Sequence, residues 1–205
     1  MFALIESGSI TKYLNGNKGI TLGDTQYPRS IYTLWSEAER NAIGIYTIVY
    51  DDSNKEDERW YINTNQSYAF ANSTVTATYG TATAKAHADT TWTQEQIDDG
   101  YAPDGADTNT VAVRGLKYNL IRAVKRQAAN ELANTDWYIT RNAEKSTAIP
   151  SAITTHRDLV RSRQATMETS ITNASDTPAL ETLYTYTTDS DGVQSRPLAI
   201  IPTLD

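Results

Sequence analysis

Between Val111 and Ala174 the apolar positions fall twice into helical spacing. Val113, Leu116, Leu120, Val124, Ala128 and Leu132 recur at steps of three or four, one stripe of a helix facing a partner, while Arg114, Lys117, Arg122, Lys125 and Arg126 occupy the opposite face. Asp107, Thr108 and Thr110 offer side-chain oxygens to the first free N–H groups, so the helix is expected to start within a few residues of them and to end at Asn134-Thr135-Asp136. Asp136 then caps a short helix through Trp137-Tyr138-Ile139, with Arg141 and Lys145 towards its C-terminal end, where the helix dipole favours cations. Pro150 opens the next helix, since the N–H it lacks would be unpaired there anyway. Ile153, Val160 and Met167 follow at intervals of seven, with His156, Arg163 and Ile171 in the neighbouring row. The two stripes match in length, which predicts an antiparallel helical hairpin.

The stretches before this hairpin have strand patterns. Phe2–Ile5 and Ile10–Leu14 flank the turn residues Glu6-Ser7-Gly8-Ser9 and predict a hairpin. Ile20–Leu22 is a third short strand. Ile45–Tyr50, Arg59–Asn63, Ser67–Phe70 and Thr74–Tyr79 are rich in β-branched and aromatic residues and predict a meander, with Val75, Ala77 and Tyr79 on one face of the last strand. Two capping boxes, Ser36-Glu37-Ala38-Glu39 and Thr93-Gln94-Glu95-Gln96, predict short helices ending at Gly44 and Gly100. Pro103-Asp104-Gly105 is a turn, and the boundary is expected there. The division is a β-rich domain at 1–105, a helical hairpin at 106–175, and a short helix over Pro178–Leu183 with an extended C-terminal arm at 176–205. The fold class is therefore α+β, an antiparallel β-rich part followed by a long helical hairpin.

Charge sharpens this division. Residues 111–173 carry ten of the 18 Lys+Arg and five of the 25 Asp+Glu, leaving 8 basic and 20 acidic residues elsewhere. A formal +5 thus sits in a chain of net charge −7. That overall charge, and the lack of stacking aromatics interleaved with the basic residues, argue against nucleic acid. A solvated basic face, or one docked on an acidic protein partner, fits better. There is no cysteine, which removes disulfides, thiolate metal sites and cysteine nucleophiles. No run approaches the ~20 apolar residues of a membrane span, and Met1–Ile10 lacks a signal-peptide pattern, so a soluble chain is expected. Asn65, Asn72 and Asn173 head Asn-x-Ser/Thr triplets, which chance produces in a sequence so rich in Thr and Asn.

Catalytic patterns are sparse. His87 and His156 lie in different elements, neither beside a Ser or acid at triad spacing, and His156 sits in the apolar stripe, where a packed histidine is expected. Asp51-Asp52 and Asp98-Asp99 are adjacent at turns rather than held across a cleft. The acidic turn Asp51–Glu58 lacks the ligand spacing and glycine of a calcium loop, and Gly16-Asn17-Lys18-Gly19 matches no phosphate or dinucleotide pattern. Neither an enzyme nor a cofactor is expected. The aromatics are more informative: 13 Tyr and four Trp against two Phe supply the amphipathic area enriched at interfaces. As single residues, Trp35, Trp60, Trp92 and Trp137 are expected to anchor local elements. Trp137, Tyr138, Arg157 and Arg161 are the candidate interface residues.

Two stretches resemble a known family. Leu34–Arg40 running into Ala42–Tyr46 is similar to the amino-terminal signature of small tailed-bacteriophage tail proteins. Leu132–Tyr138, with Thr147–Pro150 and Thr155-His156-Arg157, resembles the helical hairpin of phage tail-fibre assembly and tail-associated proteins. The resemblance implies a non-enzymatic virion protein, assembled in the bacterial host cytoplasm. It would bind tail, baseplate or fibre proteins in a symmetric oligomeric setting, without nucleic acid or membrane. It carries no catalytic residues over. The alternatives it leaves are a tail-fibre assembly chaperone absent from the mature particle and a head decoration protein. A glycan-acting enzyme is more distant. The strand-rich part and the closing arm exceed what a dedicated chaperone needs and favour a resident of the particle.

Overall fold

The computed structural model describes residues 1–64 and 66–204. Asn65, which heads one Asn-x-Ser/Thr triplet, and the last residue of the arm, Asp205, lie outside the described residues. The chain forms an α+β structure of two compact units, 1–83 and 84–205. Among the described residues, no helix is long and apolar enough to cross a membrane.

In the first unit, β1 (Phe2–Glu6) and β2 (Ser9–Leu14) form the expected hairpin, with Ser7 and Gly8 both at positive φ in the turn. The hairpin β3 (Ile20–Leu22) and β4 (Thr25–Tyr27) follows, then the short helices α1 (Ile31–Leu34) and α2 (Glu37–Ala42). α2 has the predicted capping box: Ser36 Oγ accepts from the Glu39 N–H, and Glu39 Oε2 accepts from the Ser36 N–H. The Ser36 hydroxyl also donates to Glu39 Oε2 at 2.7 Å, and this bond first, with the one from the Ser36 N–H, holds the Glu39 carboxyl below its ordinary pKa. Gly44 closes the helix at φ +80°, where an added Cβ would stand 2.7 Å from the Ile5 carbonyl oxygen.

Then come β5 (Ile45–Asp51), the two-residue β6 (Tyr61–Ile62), β7 (Ser67–Ala71), β8 (Thr74–Thr78) and β9 (Thr83–Ala84), the last spanning the boundary between units. The expected meander is not the pairing that forms. The main sheet has the order β2-β1-β5-β8-β7, with β1 beside β5 and β5 parallel to β8. Ile45 and Ile48 point to opposite faces of β5 and each is buried in an apolar cluster, while the central position also pairs both backbone edges of the strand. β7 and β8 form a tight hairpin through Asn72 and Ser73, both at positive φ, which leaves β8 to lie along β5.

Two apolar clusters sit on the two faces of this sheet. One joins Leu4, Leu14, Ile20, Ile31, Tyr32 and Ile45, covered by α1 and the β3–β4 hairpin. The other joins Ala3, Ile48, Val75 and Ala77, with Ile5, Ile10, Tyr68 and Phe70 packed around them. Between Leu4 and Ile5 the register of β1 against β2 slips by one residue: Ile5 faces Ile10, but Leu4 faces Lys12. This bulge lets Ile10 join one cluster and Leu14 the other, although both are even-numbered. It also turns Tyr13 towards β7, where its ring lies 4.7 Å from that of Tyr68, and the sheet curls until its two edges approach.

In the second unit, β10 (Thr90–Thr91), α3 (Gln94–Asp98) and β11 (Val111–Val113) precede three helices: α4 (Leu116–Ala133), α5 (Asp136–Lys145) and α6 (Ser151–Asn173). α7 (Thr177–Tyr184), the short hairpin β12 (Thr187–Thr188) and β13 (Gln194–Ser195), and an extended arm complete it. α4 and α6 are antiparallel, for Lys117 near the start of α4 donates to the Thr172 carbonyl near the end of α6, whereas Glu131 meets His156 at the other end. Between them Val124 and Ala128 pack with Ile153, Val160, Met167 and Ile171, all buried. α3 has its predicted capping box at Thr93, and Asp176 caps α7 by accepting from the Ala179 N–H.

The start of α4 differs from expectation. Asp107 and Thr110 close a local turn upon each other, Val111–Val113 pairs with β10 as a strand, and the helix begins only at Leu116. Its first N–H groups are taken by a remote segment. The Leu116 and Lys117 N–H groups donate to the Ala86 and His87 carbonyls, and the Gly115 N–H donates to Asp89 Oδ1. The Gly115 and Arg114 bonds hold the Asp89 carboxyl below its ordinary pKa, the former contributing most. Gly115 is required for this approach, since a Cβ there would stand 2.3 Å from Ala88 backbone atoms. The same contacts explain why the units divide after Thr83 rather than near 105: residues 84–113 cap and flank the helical layer.

Two outcomes follow. Because the folded carboxyl of Asp89 is depressed, its stabilisation is present above the unfolded value near about 3.9 and is lost as pH falls through the folded value. Asp89→Asn is therefore expected to flatten the acid side of the stability–pH curve measured by urea unfolding, and to leave the slope above neutral pH unchanged. Met167→Ala, which empties the middle of the α4–α6 interface, is expected to cost about 2–5 kcal/mol in the same assay.

Candidate functional site

The hairpin closes at a polar knot. Arg157, on the first turns of α6, is buried, and its Nη1 donates to the Leu132 carbonyl at 2.9 Å and to Thr135 Oγ1 at 2.6 Å, and stands 2.9 Å from Asp136 Oδ1 in an ion pair. Leu132 is in the last turn of α4, where its carbonyl accepts the Thr135 N–H at 3.0 Å; the guanidinium is a further donor to it and sits where the dipole favours a cation. Thr135 is buried and also donates its own hydroxyl to Leu132, while Asp136 begins α5. One side chain thus fixes where α4 stops and α5 starts. Arg157 Nε is buried without a partner.

Beside it His156, also buried as its place in the apolar stripe predicts, has Nε2 2.9 Å from Glu131 Oε1. The same oxygen accepts the Leu204 N–H at 2.9 Å, so a single carboxylate holds the histidine and the end of the extended arm. Further back, Leu198 is buried and its N–H donates to the Leu183 carbonyl of α7, with the Arg196 guanidinium over the Tyr184 and Tyr186 rings. Burial raises the Tyr184 pKa, against the opposing charge of Arg196.

From this knot projects α5, and none of its residues is buried. Trp137 is 52% exposed and Ile139 41%, and Tyr138 is half-buried. The Trp137 and Tyr138 ring centroids are 3.9 Å apart, and the Arg141 guanidinium carbon lies 4.6 Å from the Trp137 centroid and 5.3 Å from that of Tyr138. Placing Arg141 one turn on from Trp137 creates the stack, worth about 0.5–1 kcal/mol at an exposed position. The helix ends at Ser146, which has positive φ and donates its N–H to the Asn142 carbonyl. The result is a rigid, amphipathic platform with a cation laid across it.

The four residues singled out from the sequence have different fates. Trp137 and Tyr138 lie together on α5. Arg157 does not face a partner: it is internal, because the carbonyl end of α4 needs its charge more than solvent does. Arg161 is exposed one turn further along α6, bonded to Asp158 at 3.3 Å, and is separate from the aromatic pair. Arg141 and Glu131 were not anticipated as organising residues. The i, i+4 relation of Trp137 and Arg141 was there to be read, whereas the contact of Glu131 with the arm has no local signal. Elsewhere Asp51 accepts the Ser53 N–H and Asp98 accepts from Gln94, as turn and helix residues do. Among the described residues, no group of three or more His, Asp or Glu is placed to hold a metal ion.

Removing Arg157 is expected to cost about 1–3 kcal/mol, because its charged bonds to the Leu132 carbonyl and to the buried Thr135 hydroxyl are lost. Asp136→Asn should cost less than about 1 kcal/mol, since that carboxylate is 61% exposed and water replaces the pair. Urea unfolding of Arg157→Ala and Asp136→Asn reads both, and equal costs would mean that the ion pair, rather than the helix end, is what Arg157 stabilises.

No family model, curated protein or solved structure matches this chain.

Proposed function

We propose that this chain is a non-enzymatic structural protein of a tailed-bacteriophage virion, associated with the tail, baseplate or fibres, and that α5 is its contact helix. The observation that carries the contact reading is α5 itself, which exposes Trp137 and Ile139 while burying nothing. A helix whose large apolar side chains find no core in their own chain is built to meet another surface, and Trp and Arg are the residues that most often dominate such surfaces. The basic face of α4 adds Arg122 and Arg126, both exposed, so a partner with acidic residues around an apolar centre fits the platform. The phage setting is supported by the resemblance of Leu34–Tyr46 and Leu132–Arg157 to tail-associated proteins.

The test is quantitative mass spectrometry of purified infectious particles. A fixed copy number well below that of the major capsid protein, and compatible with tail symmetry, is the expected outcome. A copy number equal to the capsid protein's would make it a head decoration protein, and absence from particles despite abundance in lysate would make it an assembly factor. Trp137→Ala is expected to lower incorporation into particles at least about tenfold, the equivalent of 1.4 kcal/mol, while leaving the unfolding midpoint of the free chain nearly unchanged.

A further inference from the structure

A second surface, in the first unit, is independent of the tail reading. A groove of about 530 Å³ opens between β2, the following loop and α1. Its floor is the apolar cluster on that face of the sheet: Leu14, Ile20 and Tyr32 are all buried. Burial raises the Tyr32 pKa. Its walls carry Lys12, Lys18 and Asn15.

The wall loop is held in one shape. Asn15 Oδ1 accepts the Asn17 N–H in a local turn. Gly16 adopts φ +72° with its α-carbon against Phe2 and Tyr32, where an added Cβ would lie 3.4 Å from both rings. At Gly19 a Cβ would stand 2.4 Å from the Tyr27 carbonyl oxygen, so that position also admits only glycine. The groove is therefore preformed, which lowers the entropy cost of filling it.

Its charge is opposite to that of its surroundings. Residues 1–83 contain six Lys+Arg and nine Asp+Glu, yet no acidic residue lines the groove. Lys55 and Arg59 of the same unit pair with Glu58 and Asp57, whereas among the described residues neither Lys12 nor Lys18 has a carboxylate at ion-pair distance. Two uncompensated ammonium groups over an apolar and aromatic floor, with an amide at the rim, suit a small ring carrying one anionic group. The volume is in the usual range for small-ligand sites.

We propose that this groove binds an acidic saccharide, with Lys12 and Lys18 holding its anionic group and the Tyr32 side of the floor receiving the ring. The anion is either a carboxylate or a phosphate, which two lysines accept alike. The test follows amide resonances of the full chain by NMR during titration with glucuronate, glucose 6-phosphate and glucose. Shifts at Gly16, Lys18, Gly19 and Thr21 with at least one of the two anions, weakening with added salt, and none with glucose, are expected; whichever anion binds tighter identifies the group. Lys12→Gln/Lys18→Gln should weaken binding at least about tenfold, with an unchanged unfolding midpoint because both side chains are exposed. No shift with either anion, the same shifts with glucose, or unchanged binding by the double variant would overturn the assignment.

Discussion

A helix that ends inside a protein leaves backbone groups that something must satisfy, and the second unit is arranged around that requirement at the two ends of α4. The Ala86 and His87 carbonyls and the Asp89 carboxylate take the N–H groups at the start; Arg157 and Thr135 take the Leu132 carbonyl at the end. None of these partners lies within the helix. Each remote bond also places its own segment, so residues 84–89 and the N-terminal turns of α6 are located by α4 as much as they complete it. The platform on α5 is a consequence, since the contact that ends α4 also sets where α5 begins.

The first unit meets a different constraint, that a strand with apolar residues on both faces must be covered twice. β5 satisfies it by placing Ile45 in one cluster and Ile48 in the other, and the one-residue slip between β1 and β2 lets a single hairpin supply side chains to both. The curl that follows depends on small residues at its inner face. Ala3 and Ala77 are fully buried there, and the space they leave is filled by Tyr68 and Phe70 from the edge strand.

What the sequence made legible was local. The apolar stripes of α4 and α6, both capping boxes, the β1–β2 and β7–β8 hairpins and the packed state of His156 follow from spacing and propensity over a few residues. The start of α4 was misjudged for a physical reason: Asp107 and Thr110 are good caps, but they cap a turn of their own, and three β-branched or small residues after them gain more as a strand beside Thr90–Thr91. Strand order and the parallel β5–β8 pair depend on which faces find cover, which periodicity does not encode. Of the interface residues, the exposed aromatic pair was readable because Trp137 and Tyr138 share a short helix with few apolar neighbours. Arg157 looks from its type like a surface residue, and only the position of the α4 carboxyl end shows that it is internal.

The remote capping of α4 also bears on what can be inherited as a module. The helical hairpin, taken as 106–175, looks like a piece that recombination could carry from one protein to another. Cut there, it would leave its first helix with an uncapped start beside a glycine shaped for a neighbour no longer present. The smallest transferable piece is longer, beginning near Ala84, because the short polar stretch through Asp89 is part of the helix it precedes by more than 25 residues. Insertions would be better tolerated around Pro103-Asp104-Gly105, where the chain is exposed and turns upon itself, than in the linker that looks emptier.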